Sequence, residues 1–188
     1  MNALKQQAGC IVLPQASLKA VVPGLLTVGL LVSFLSLEAF ANAAEPIHPR
    51  DDMTAIAEAE AVRIVLSLSD RRVYLYKGKT VADSYPVAVG AAATPTPQGE
   101  FEVSKLVIEP VWQSPWTGEM HAPGPDSALG LRWIGFFADE SGAFGFHGTP
   151  TLDSIGKAVS NGCVRMRNED IVALFSQVSI GTPVVVMP

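Results

Sequence analysis

Hydrophobic positions are spread unevenly along this chain. From Ala20 to Leu37 almost every residue is apolar (AVVPGLLTVGLLVSFLSL). Lys5 and Lys19 precede the run, and the small-residue stretch Ala39-Phe40-Ala41-Asn42-Ala43-Ala44 follows it. Charged, then apolar, then A-x-A is the order of a secretory signal. Cleavage is expected after Ala43, with Ala41 as the second choice. The competing reading is an uncleaved membrane anchor. The run is just long enough for one, but Pro23, Gly24 and Gly29 weaken it as a helix. Ala8-Gly9-Cys10 is not read as a lipoprotein site, since no apolar segment precedes it. Residues 44–61 are polar and alanine-rich and read as a linker, with His48 solvated.

From Val62 the pattern changes to period two with β-branched residues, the signature of strands. Arg63 to Leu68 and Val73 to Tyr76 predict a hairpin about the Asp70-Arg71-Arg72 turn. Lys77-Gly78-Lys79 turns the chain into a further strand, Thr80 to Val89, interrupted at Pro86. A loop with two Thr-Pro pairs (Thr94-Pro95, Thr96-Pro97) leads to a strand over Phe101 to Ile108. Glu109 to Gly130 carries too many prolines and glycines for a long regular element. An ordered loop of this length is usually functional, so Trp112 and Trp116 are read as a lid or wall of a cleft; equally, both fit as plugs of the core. His121, in the same loop, reads as a surface residue. Leu131 to Phe137 and Phe144 to His147 predict two more strands about the Asp139–Gly142 turn. Thr151 or Asp153 can cap a short helix running to about Val159. Val164 to Met166 predicts a strand. Asn168 can cap a helix over Glu169 to Gln177, with Ile171, Leu174 and Phe175 as its apolar stripe. Thr182 to Met187 closes the chain as a strand. Many short strands and two short helices predict a mainly β domain, a sandwich or open barrel.

Composition narrows the function classes. The 188 residues suffice for one domain plus an appendage. The net charge is −5, with no basic block or stripe, which argues against nucleic acid as a partner. Membrane contact is expected only if the leader is retained. There are two cysteines, Cys10 and Cys163. Removal of the leader leaves Cys163 alone, which rules out a disulfide framework and a multi-cysteine zinc site.

The chemistry concentrates in Phe146 to Asp170 (FHGTPTLDSIGKAVSNGCVRMRNED). A thiol with its free pKa of roughly 8.5 needs a base or a positive neighbour to act as a nucleophile. His147 is the natural base for Cys163, and a backbone carbonyl can orient its ring. Gly162 permits a sharp turn before Cys163, where backbone N–H groups can stabilise an oxyanion, worth about 3 kcal/mol per donor. Arg165 alternates with Val164 and so shares a strand face with Cys163; its guanidinium suits a carboxylate-bearing substrate. Spacing alone leaves two readings open: a catalytic Cys-His pair, or a buried small hydrophobe and a structural histidine.

The run His147-Gly148-Thr149, Ile155-Gly156, Ser160-Asn161-Gly162-Cys163-Val164-Arg165-Met166, Asn168 and Asp170 resembles the signature of the L,D-transpeptidase (YkuD-type) catalytic domain. Ile64 to Tyr76 resembles that family's opening hairpin. Thr96-Pro97-Gln98-Gly99-Glu100-Phe101 resembles its T-P-x-G-x-F turn, and Gly124-Pro125-Asp126 with Ala128 to Trp133 the segment before its catalytic strands. The resemblance covers Val62 to Met187. It implies a β-sandwich-like domain with its site in a cleft under a loop. It further implies that Cys163 attacks the L-centre carbonyl of a diamino acid in a peptidoglycan tetrapeptide stem and releases D-alanine. The resulting thioester would pass to an amine. His147 would shuttle protons, oriented by the Gly148 carbonyl. Ser160, Asn161, Gly162 and Arg165 would meet the substrate, with Trp112 and Trp116 on the cleft side. Carbapenem-type inhibitors would acylate the thiol, and no metal or organic cofactor would be used.

Asn161 stands where the family most often has His, and it cannot titrate. The expected organisation is therefore a signal peptide (1–43), a linker (44–61) and a catalytic domain (62–188), exported to the periplasm or cell envelope. Two alternatives share these features: an L,D-carboxypeptidase using water as acceptor, and a non-enzymatic wall-binding domain.

Overall fold

A computed structural model of the chain describes residues 61–114 and 117–188. The expected leader, the linker and Trp116 lie outside the described residues. Thirteen strands follow one another: β1 (Val62–Ser67), β2 (Arg72–Lys77), β3 (Thr80–Pro86), β4 (Val89–Gly90), β5 (Gly99–Glu102), β6 (Lys105–Ile108), β7 (Trp112–Gln113), β8 (Met120–His121), β9 (Arg132–Asp139), β10 (Gly142–Gly148), β11 (Ala158–Ser160), β12 (Val164–Met166) and β13 (Pro183–Met187). Among the described residues these thirteen strands are joined by one α-helix, α1 (Asn168–Phe175), between β12 and β13.

Two sheets carry the architecture. One has the order β3-β2-β1-β13-β5, and the other β12-β10-β9-β6. Alternation along the strands sends one set of side chains inward from each. Ile64, Leu66, Val73, Leu75, Val184 and Val186 from the first sheet meet Ile134, Phe136, Phe144, Phe146, Val164 and Met166 from the second, with Ile171 and Leu174 of α1. This is the main core of a mainly β sandwich, and no closed barrel is needed. The opposite face of the second sheet holds a smaller cluster of Val107, Leu129, Trp133 and Cys163, with Trp112 and Ala143 against it. The candidate chemistry therefore sits on the outer face of the four-stranded sheet.

Three sequence expectations are corrected. The single strand over 101–108 is two strands in different sheets. β5 pairs β13, whereas β6 pairs β9. Val103 exchanges backbone hydrogen bonds with Gly181 and Thr182, and Ser104 donates to Gly135 O from both N–H and Oγ. The chain thus crosses from one sheet to the other at Val103-Ser104. The helix expected over 151–159 is a single 3-10 turn, Leu152–Ser154. Ile155 is extended and Gly156 has φ +82°, which stop it, and Ala158–Ser160 pairs with β4 instead. Asn168 does not cap α1. Arg167 occupies the cap, and Asn168 is the first helical residue with its amide turned elsewhere.

Candidate active site

His147 is the penultimate residue of β10, and Arg165 is the middle of β12. The two strands are parallel and in register, so His147 lies opposite Arg165. The inward neighbours Phe146, Val164 and Met166 are fully buried in the main core. His147, Arg165 and Cys163, one step out of phase with them, therefore face the other way. Ala88 holds the far side of β12 through reciprocal 2.9 Å hydrogen bonds with the Arg165 backbone.

The turn that delivers Cys163 is built from its own polar groups. Ser160 Oγ donates to Cys163 O at 2.5 Å and accepts the Gly162 N–H at 3.2 Å. Gly162 has φ +105°, and a Cβ there would stand 2.6 Å from the Phe144 ring. Only glycine fits without strain. From outside, Thr94 Oγ1 and Ala91 N–H both donate to Ser160 O, at 2.9 and 3.0 Å. The Thr-Pro loop is itself folded back, with the Gly90 N–H donating to Thr96 Oγ1 at 2.9 Å. Thr94 and Thr96 are buried polar residues. Their sequence neighbourhood gives no sign of this role, because nothing local shows what a loop threonine braces.

Cys163 is free and 2% exposed. Its Sγ lies 3.5 Å from Ala143 O, within reach of S–H donation. His147 is 3% exposed, its ring lying nearly parallel to Trp133 with centroids 6.0 Å apart. His147 Nδ1 is 2.7 Å from Gly148 O. A carbonyl can only accept, so Nδ1 carries the proton and Nε2 keeps its lone pair. Burial foremost, opposed by that Gly148 contact and helped by the Arg165 charge, holds the His147 pKa down to about 4. The imidazole is neutral near pH 7, the form a general base requires.

The remaining expected site residues divide. Gly148 is buried beside His147, and Arg165 and Asn161 are half-buried. Ser160 and the Gly162 N–H, expected to meet the substrate, are spent on shaping the turn. Trp112 packs against the cluster that contains Cys163, and its ring meets His121 at 4.7 Å between centroids. The β7–β8 hairpin thus packs Trp112 against this cluster, and His121 is half-buried within it rather than free on the surface. Trp116 lies outside the described residues. No three His, Cys, Asp or Glu side chains converge as metal ligands among the described residues.

Comparison with known proteins places the fold and the sequence together. Residues 61–186 match the family model of the YkuD L,D-transpeptidase catalytic domain. The chain is 40% identical over 104 residues to YqjB of Bacillus subtilis (strain 168), covering 54% of this chain and 57% of that protein. It is 36% identical over 126 residues to YkuD of Bacillus licheniformis, covering 67% and 66% respectively. Both relatives are named as L,D-transpeptidases, and the match spans about three fifths of their length. Among solved structures, the LD transpeptidase LdtMt1 in complex with imipenem superposes with a TM-score of 0.54 at 24% identity, covering 68% of this chain and 59% of that one. The sandwich fold and the family match over residues 61–186 agree, and the chain belongs to the L,D-transpeptidase family.

Proposed function

We propose that this protein is an exported cysteine acyltransferase that cross-links peptidoglycan stem peptides. The observation that carries the mechanism is the neutral His147 ring, proton on Nδ1, on the same sheet face as the Cys163 thiol. His147 Nε2 takes the thiol proton as Sγ attacks the L-centre carbonyl of the diamino acid in a tetrapeptide stem. The tetrahedral oxyanion needs N–H donors other than that of Gly162, which Ser160 occupies. Collapse breaks the bond to D-alanine, whose amine leaves with the proton from His147. The product of this half-reaction is a thioester on Cys163. An acceptor amine, deprotonated by His147, attacks the thioester, and the thiol recovers its proton. Arg165 meets the substrate carboxylate. Asn161 supports the site without titrating.

Residues 1–43 direct export to the periplasm or cell envelope, and residues 44–61 link the leader to the catalytic domain. Imipenem in the complex of a fold neighbour supports carbapenem-type compounds as acylating inhibitors of Cys163.

The test is intact-mass spectrometry of the protein incubated with purified disaccharide-tetrapeptide, wild type beside Cys163→Ala. A Cys163-dependent cross-linked dimer with D-alanine lost is expected. Tripeptide alone would replace the transferase with a hydrolase, and no product together with no carbapenem adduct would leave a binding domain. The N-terminus after expression in a secreting host is expected at Ala44.

A further inference from the structure

The amide of Asn168 does something the rest of α1 does not explain. Its Oδ1 accepts the Leu131 N–H at 3.0 Å, and its Nδ2 donates to Pro125 O at 3.0 Å. It thereby ties the start of α1 to the loop that enters β9. Two glycines make room for it. A Cβ on Gly148 would collide with Asn168 Oδ1, and a Cβ on Gly130 would collide with the same atom and stand 2.6 Å from Gly148 Cα. Gly130 also holds φ +58°. The amide is therefore wedged where Gly130 and Gly148 approach each other. Gly148 is the residue whose carbonyl accepts the hydrogen bond from His147 Nδ1–H, at 2.7 Å between N and O.

We propose that Asn168 is a positioning residue for His147. The wedged amide fixes the Gly148 peptide, and the fixed Gly148 carbonyl selects the Nδ1–H tautomer that leaves Nε2 as the base. The physical argument is one of alternatives. A neutral imidazole has two tautomers of comparable energy, and the hydrogen bond at one nitrogen decides which is present. That selection is only as sharp as the acceptor is fixed. Gly148 has no side chain to limit its own backbone, so an outside brace must supply the constraint. Asn168 reaches it from a helix anchored in the core by Ile171 and Leu174, a rigid support. Asn at this place is not interchangeable with a smaller polar residue: one acceptor and one donor are both used, in opposite directions. This inference rests on His147 being the base of the proposed reaction.

The experiment uses the full chain labelled with ¹⁵N, read by long-range ¹H–¹⁵N correlation of the histidine rings, with His147→Gln to assign the signals. Wild type is expected to show a single Nδ1–H tautomer for His147. Asn168→Ala is expected to show mixed tautomers, and kcat for cross-linking lower by about tenfold with KM little changed, as for a misplaced reacting group. Asn168→Asp keeps the shape and the acceptor for Leu131 but sets a carboxylate oxygen against Pro125 O, and is expected to fall between wild type and Asn168→Ala in both tautomer purity and kcat. Should Asn168→Ala not fold, Asn168→Ser, too short to span Leu131 and Pro125, gives the same reading. An unchanged tautomer in the folded Ala or Ser variant, with activity falling only as the folded fraction falls, would make Asn168 a structural strut and overturn the proposal. The tautomer signal does not depend on turnover. A wild type that shows it without any product would sink the proposed function and leave the positioning role standing.

Discussion

At His147 burial and hydrogen bonding pull in opposite directions. Desolvation disfavours the imidazolium, the Gly148 carbonyl favours it, and burial wins, leaving a pKa of about 4 against the usual 6.5. Two outcomes follow from that sign. With His147 as base, kcat/KM is expected to show no acid limb near pH 6.5; a limb there in the pH-rate profile would mean that the ring is solvated or paired with a thiolate. Stability is also linked to the same group. Above pH 6.5 neither the folded nor the unfolded chain protonates this ring. Between 6.5 and 4 only the unfolded chain takes the proton, so stability falls as pH drops through that window, by about 3 kcal/mol in all for this group. Urea midpoints between pH 7 and pH 4.5 are expected to fall more steeply in wild type than in His147→Gln. Gly162 makes a simpler case. Its φ of +105° and the Phe144 ring, 2.6 Å from where a Cβ would stand, leave alanine no comfortable place. Gly162→Ala is expected to lose about 1–3 kcal/mol and most of the iodoacetamide labelling of Cys163, measured by thermal melts and mass spectrometry.

At the scale of elements, Cys163 is held by a loop that is distant in sequence. The Ser160–Cys163 turn satisfies Gly162 N–H and Cys163 O through one hydroxyl, then leans on Thr94 and Ala91 through Ser160 O. Thr94→Val removes one of those two donors from a buried carbonyl. A cost of about 1 kcal/mol is expected, together with a several-fold slower carbapenem acylation of Cys163 at temperatures where the variant is fully folded. Acylation at the wild-type rate would show that Ala91 N–H alone fixes the turn. The strand pair beneath is stiffer. β12 is only three residues long, yet it is bonded to β10 on one side and to Ala88 on the other. The Cys163-to-Arg165 segment thus sits on a backbone with partners at both edges.

At the scale of the molecule, the two faces of the four-stranded sheet have separate duties. One face joins the main core with the five-stranded sheet and α1, and the other carries Cys163, His147 and Arg165, with Trp112 packed against the cluster that holds Cys163. Phe146 belongs to the first face and His147 to the second, so core packing sets the height of β10. Phe146 is fully buried and meets the Phe136 ring at a tilt, with centroids 5.1 Å apart. Phe146→Ala is expected to cost about 3–5 kcal/mol, with Phe146→Leu retaining most of that stability, as calorimetry would show. A small loss for alanine would mean that the core closes over the gap.

The sequence alone determined what is local or chemically singular. Alternation placed β1 and β2, and short apolar runs placed β9 and β13, because each such pattern is a property of the strand by itself. The pairing of a thiol with a histidine and flanking glycines marked Phe146 to Asp170 as the candidate site, and its family signature matched the family now shown over residues 61–186. Only the tertiary structure decided the rest. A continuous β pattern from Phe101 to Ile108 cannot reveal that the chain changes sheets at Val103, since both partners, β13 and β9, lie far along the chain. A Thr-led segment before Ile155 looks like a helix until Gly156 turns and β4 offers a ladder. Asn168 has every local feature of a cap, yet its amide serves Leu131 and Pro125. Thr94 looks like any loop threonine until Ser160 is set beside it. In each case the deciding partner is remote in sequence, and a polar group's role is fixed by what folding brings within about 3 Å of it.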